Sequence, residues 1–115
     1  MHKELLKYRL ILPPQIEVMV HRAEEGGYWA KVLTFPGVVA QGEDLVDVIE
    51  MVNIAIFDYL EIPKKYRKYL SSYQPEVSQK EFSKVIGNFR HQQIEEMFMK
   101  IIRQDTTLKF NKVAS

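Results

Sequence analysis

The sequence predicts an α+β fold, a small antiparallel β-sheet of three to four strands with one packed helix, followed by a C-terminal helical segment. Three patterns carry that expectation. Between residues 16 and 41, apolar residues alternate in short runs broken by Gly- and Pro-containing turns, the period of half-buried strands. From Leu45 the apolar spacing switches to steps of three and four, the period of a helix with one buried stripe. Helical spacing then resumes between Ser78 and Gln104.

The bulk composition bounds the rest. A chain of 115 residues holds one domain, or one small domain with an appendage. A content of 46% hydrophobic and 27% charged residues argues against global disorder. The absence of cysteine excludes disulfides and thiolate metal sites, and fits a reducing compartment. No apolar run reaches a signal peptide or membrane span, so the expected location is cytoplasmic. The net charge of +1 hides an asymmetry. Residues 1–63 hold five Lys/Arg against ten Asp/Glu, and residues 64–115 hold eleven against five. An acidic front and a basic back suggest two surfaces with different partners.

The elements follow in order. Residues 1–15 read either as a short helix or as an irregular lead-in, closed by Pro13-Pro14. Ile16, Val18 and Val20 share one face of a first strand. Glu24-Glu25-Gly26-Gly27 supplies a hairpin turn. Tyr28–Leu33 is the return strand, with Tyr28, Ala30 and Val32 on one face and Trp29, Lys31 and Leu33 on the other. Phe35-Pro36-Gly37-Val38 has the type II turn signature. Val38–Gln41 is a short third strand ending at Gly42. Asp44 occupies a helix N-cap, with Asp47 in the first turn. Leu45, Val48, Ile49, Val52, Ala55, Ile56, Tyr59 and Leu60 form the helical stripe, with Asn53 off it, and Pro63 ends the helix. Residues 64–77 read as a connector. Capping-box spacing at Ser78–Glu81 starts a further helix, closed by Gly87-Asn88. Another helix spans about His91–Gln104, and residues 105–115 read as a frayed tail. The expected division is therefore 1–63, 64–77 and 78–115.

The segments EEGGYWAKV, FPGVVAQG and EDLVDVIEMVNIAIFDYLE, in that order over residues 16–62, resemble the HicB family of antitoxins. The chain departs from the family pattern at Phe35, which precedes Pro36, and at Val38, which stands where a cysteine is usual. The resemblance implies a partial ribonuclease H-like fold and a binding protein rather than a catalyst. It implies a small basic partner, a HicA-like toxin that cleaves mRNA, and repression of the antitoxin's own operon. Complementary charge between the acidic front half and such a toxin would speed encounter.

Two-metal hydrolysis needs converging carboxylates, and the first strand offers only Glu17, so no catalytic residue is expected. His2, His21 and His91 have no metal-ligand spacing, so neither metal nor cofactor is expected. Trp29, Lys31 and Leu33 are the candidate partner-binding residues; if their sheet face is uncovered, Trp29 and Leu33 form an apolar patch that asks for a partner or for the N-terminal segment. Val38 and Val39 lie on a candidate sheet edge and would serve dimerisation, as would the apolar stripe of Met97, Phe98 and Ile101. If the C-terminal helices form a helix-turn-helix, Lys80, Lys84, Arg90, His91 and Gln92 would contact operator DNA. KKYRKYL, at 64–70, interleaves basic and aromatic residues as nucleic-acid surfaces do. The alternative function is a homo-oligomeric interaction module without a toxin.

Overall fold

The computed structural model describes residues 2–76 and 105–113. The elements run α1 (His2–Ile11), β1 (Gln15–Arg22), β2 (Tyr28–Val32), β3 (Val38–Gly42), α2 (Leu45–Tyr59), α3 (Lys64–Arg67), β4 (Ser72–Pro75) and β5 (Asp105–Val113). They form a five-stranded sheet in the order β3-β2-β1-β5-β4, with every neighbouring pair antiparallel.

The α+β class stands, with corrections in its details. The sheet has five strands rather than three or four, and three helices rather than one contribute to the core. The end of the chain, read as a frayed tail, is strand β5, which lies between β1 and β4. The ambiguous lead-in is helix α1, and the stretch read as a connector supplies α3 and β4. The two helices expected over 78–104 lie outside the described residues.

Period-two alternation does what the sequence promised. Ile16, Val18 and Val20 of β1 and Tyr28, Ala30 and Val32 of β2 are buried, and they meet Leu45, Val48, Ile49, Val52 and Ile56 of α2 in one core. Leu5 and Leu12 from the α1 segment, and Tyr66 and Leu70 around α3, join the same core. On β5, Phe110 faces inward, paired across the ladder with Ile16.

The turns are set by local chemistry. Gly37 takes φ +90°, and Val38 N–H donates to Phe35 O at 3.1 Å, completing the type II turn. The Asp44 carboxylate accepts from Asp47 N–H at 2.8 Å, and the Asp47 carboxylate accepts from Glu43 N–H at 3.0 Å. That reciprocal pairing satisfies donors at the start of α2 that the helix itself leaves open. At its other end, Ile62 N–H donates to Phe57 O and Glu61 N–H to Asp58 O, both at 3.0 Å. This is a Schellman closure, with Glu61 held at φ +55° where glycine is usual.

The buried stripe of α2 is broader than expected. Asn53 and Phe57 are buried, whereas Tyr59 is exposed. Tyr73 of β4 is fully enclosed, and its hydroxyl donates to Pro13 O at 2.6 Å. Burial pushes its pKa up to about 12.

Candidate protein-binding face

All three helices pack on one side of the sheet, so the alternate positions of each strand form a second face that no described element covers. The ladder registers build this face row by row. One row runs Asp105, His21, Trp29, Gln41 across β5, β1, β2 and β3. The next runs Thr107, Met19, Lys31, Val39. Leu33 follows β2, its N–H donating to Glu17 O at 2.8 Å, and Glu17 faces Lys109.

Trp29, Lys31 and Leu33 therefore lie together on one exposed face, as their alternation required. Trp29 is 38% exposed, Leu33 42% and Val39 63%. Large apolar side chains held in water on a flat surface are what a partner can bury. The face is also partly preorganised. The His21 ring stacks on Trp29 at 4.8 Å between centroids, and His21 Nδ1 lies 2.5 Å from Asp105 Oδ1. His21 thus bridges the indole to β5, which limits the rotation an unpaired tryptophan would lose on binding.

The face turns a corner at the open edge of β3. A cleft of about 880 Å³ runs there, lined by Trp29, Val39, Gln41, Glu43, Asp47 and Met51 among others. Its apolar floor is rimmed by the Glu43 and Asp47 carboxylates, and the acidic hairpin residues Glu24 and Glu25 line a smaller adjoining cleft. The end of the sheet that carries Trp29 is thus its acidic end.

No family model, curated protein or solved structure matches the chain. The geometry therefore carries the functional argument.

The structure separates the residues assigned to dimerisation on β3. Val38 is buried in the core, and Val39 is exposed at the edge. Met97, Phe98 and Ile101 lie outside the described residues, as do the DNA-contact candidates Lys80, Lys84, Arg90, His91 and Gln92. Among the described residues no group of three or more His, Cys, Asp or Glu could hold a metal ion, and no helix is long and apolar enough to cross a membrane.

Sequence reasoning missed Met51, Glu43 and Asp47 as lining residues, and His21 and Asp105 as supports of Trp29. Asp47 is assigned from sequence to the first turn of α2 alone, Glu43 precedes the N-cap, and Met51 lies farther along the helix. The His21–Asp105 pair required knowing that residue 105 lies in a strand beside β1.

Proposed function

We propose that this protein is a HicB-like antitoxin, a non-enzymatic chain that neutralises a small, basic, mRNA-cleaving toxin of the HicA type. The observation that carries the reading is a sheet face that no described element covers, with exposed Trp29 and Leu33, continuous with an acid-rimmed cleft at the β3 edge. An apolar centre excludes water once covered, and carboxylates around it attract and orient a cationic partner. The chain order β1-β2-β3-α2, with an acidic glycine turn, a Pro-Gly turn and a capped helix, supports a partial ribonuclease H-like relationship. The toxin is proposed to seat on Trp29, Lys31 and Leu33 and to extend into the cleft. Autorepression of the operon belongs to the same proposal and would draw on residues 78–104.

The test is co-expression with the small basic protein encoded in the adjacent reading frame. The wild-type chain should relieve growth arrest and co-purify with that protein. Trp29→Ala combined with Leu33→Asp should keep the circular dichroism spectrum, since both side chains are exposed, and yet abolish rescue. Loss of a central aromatic anchor typically costs about 2 kcal/mol or more, roughly 30-fold in affinity. A neighbour that is not toxic, or toxicity that this chain does not relieve, defeats the proposal.

A second reading, a homo-oligomeric module without a toxin, draws on β3, an edge strand among the described residues, with its Val39 exposed. Such an edge can accept another strand.

A further inference from the structure

A second surface lies where α1 meets α3. Lys64, Lys65, Lys68 and Tyr69 are exposed there. Tyr66 is buried, its ring 5.6 Å from that of Tyr8 and its hydroxyl donating to the Glu4 carboxylate. Arg9 reaches across to Tyr69 O at 3.4 Å, which fixes α1 beside the segment. Four basic residues and two tyrosines within residues 64–69 are a weak signal in sequence. Folding adds a wall from α1 and turns the run into a cleft of about 560 Å³, lined by Glu4, Lys65, Tyr66, Lys68 and Tyr69.

The charge of this cleft is unevenly committed. Glu4 is engaged by the Tyr66 hydroxyl, which with help from Lys65 holds its carboxyl below the usual range against the opposing effect of burial. Asp58 is paired with Arg67 at 2.8 Å. Among the described residues no carboxylate forms a salt bridge with Lys64, Lys65 or Lys68. The Lys65 ammonium lies 5.1 Å from the centroid of Tyr66, and that of Lys68 lies 5.2 Å from the centroid of Tyr69. The result is a cluster of lysines, with Glu4 the one carboxylate lining the cleft, beside an aromatic ring that is 42% exposed.

We infer that this corner binds single-stranded nucleic acid, with backbone phosphates on Lys65 and Lys68 and a base stacked on Tyr69. Ammonium groups pair with phosphates, and an exposed ring offers a stacking platform that any base can use. A duplex keeps its base faces inside and would use only the lysines. An anionic membrane is the less fitting partner, because the cleft lining holds no aliphatic side chain to insert. Among the exposed apolar residues of α1, Leu6 and Leu10 lie about 200° and 240° around the helix axis from Glu4, and Ile11, about 20° from it, lies about 10 Å farther along the axis. The site does not depend on the antitoxin reading, and the toxin-rescue assay does not report on it.

The experiment is fluorescence anisotropy with the full chain and a labelled oligouridylate of about 12 nucleotides, a length within the usual footprint of such sites. Affinity should fall as salt rises from about 50 to 200 mM. Binding should exceed that of a duplex of equal length. Tyr69→Ala should weaken it about tenfold, the loss expected for one stacked base, while Tyr69→Phe retains it. Replacing Lys65 and Lys68 together with alanine should weaken it further and reduce the logarithmic salt slope by about 1.4, two single-strand phosphate contacts. The inference is overturned by absence of binding at low salt, or by equal affinity for the duplex. It is equally overturned if Tyr69→Ala binds as wild type, or if binding is lost only on replacing Lys80, Lys84 and Arg90. Capture by phosphatidylglycerol vesicles without capture of the oligonucleotide would assign the corner to a membrane instead.

Discussion

At the scale of single residues, Asn53 shows what apolar spacing does not reveal. Counting hydrophobic residues along α2 places it off the buried stripe, yet it is the one buried polar residue among those described. Its amide fits a specific need. β4 is an edge strand, and the Tyr73 N–H and C=O point away from β5. Asn53 Oδ1 accepts from Tyr73 N–H at 2.6 Å, while Nδ2 donates to Tyr73 O and to Ile49 O, both at 2.9 Å. One side chain thus supplies the pairing that a further strand would have supplied. Asn53→Ala should destabilise the fold by about 2–4 kcal/mol, because two buried backbone groups lose their partners at about 1–3 kcal/mol each. Asn53→Asp should be worse at neutral pH, since it sets a carboxylate against two carbonyl oxygens, and should recover partially in acid. Urea denaturation midpoints measure both. A change within about 0.5 kcal/mol for Asn53→Ala, the range of an ordinary surface exchange, would show that the amide is dispensable.

At the scale of elements, the stretch from β1 to the end of α2 was legible because each boundary carries its own chemistry. Alternation marks the strands, Pro36-Gly37 marks the turn, and Asp44 marks the helix start. The remaining elements were less legible for physical reasons. α1 exposes Leu6, Leu10 and Ile11 and buries Leu5, so its apolar residues do not fall on one stripe. α3 and β4 have only four residues each, too few for any period to emerge. The Trp29 face was foreseen from alternation, but its cleft depends on how closely α2 approaches the end of β3. That approach is read from Gly42, where an added Cβ would meet Val48 N at 2.5 Å and Val48 Cα at 2.8 Å. Both contacts are backbone, so no rotamer change relieves them. Gly42→Ala should therefore cost about 1–3 kcal/mol through overpacking at the strand–helix junction. The other end of α2 should respond in the opposite direction. Glu61→Gly removes the side-chain penalty at φ +55° in the Schellman closure. Relief of about 1–2 kcal/mol of left-handed strain, less the extra freedom of glycine when unfolded, leaves a gain of several tenths of a kcal/mol. Thermal melts of both variants check the pair of signs. A neutral Gly42→Ala would mean that α2 sits farther from β3 than the structure places it.

For the whole molecule, the first strand and the last lie side by side at the centre of the sheet. β5 lies beside β1 over seven paired positions, from Gln15↔Asn111 to His21↔Asp105, and carries β4 on its far side. The sequence DTTLKFNKV conceals this role because only Leu108 and Phe110 mark its inner face. Lys112, also on that face, looks solvated but donates to Arg9 O and Leu12 O at 3.0 Å, tying β5 to the end of α1. The same strand brings Asp105 to His21, so the proposed partner face and the core share one support. Removing residues 105–115 would strip β1 of a neighbour, orphan β4 and open the core at Ile16, Val18 and Val20. The truncated chain should fail to unfold cooperatively and should aggregate through the exposed β1 edge. A subtler pair separates strand packing from gross truncation. Phe110→Ala removes a side chain only 1% exposed and should cost about 3–5 kcal/mol, whereas Lys109→Ala, outward on the same strand, should change stability by less than about 0.5 kcal/mol. Because Phe110 pairs with Ile16 rather than with any residue of the partner face, its loss should lower stability without altering Trp29 fluorescence in the folded state. Equal effects at Phe110 and Lys109, or a cooperative transition in the chain ending at residue 104, would exclude this central role of β5.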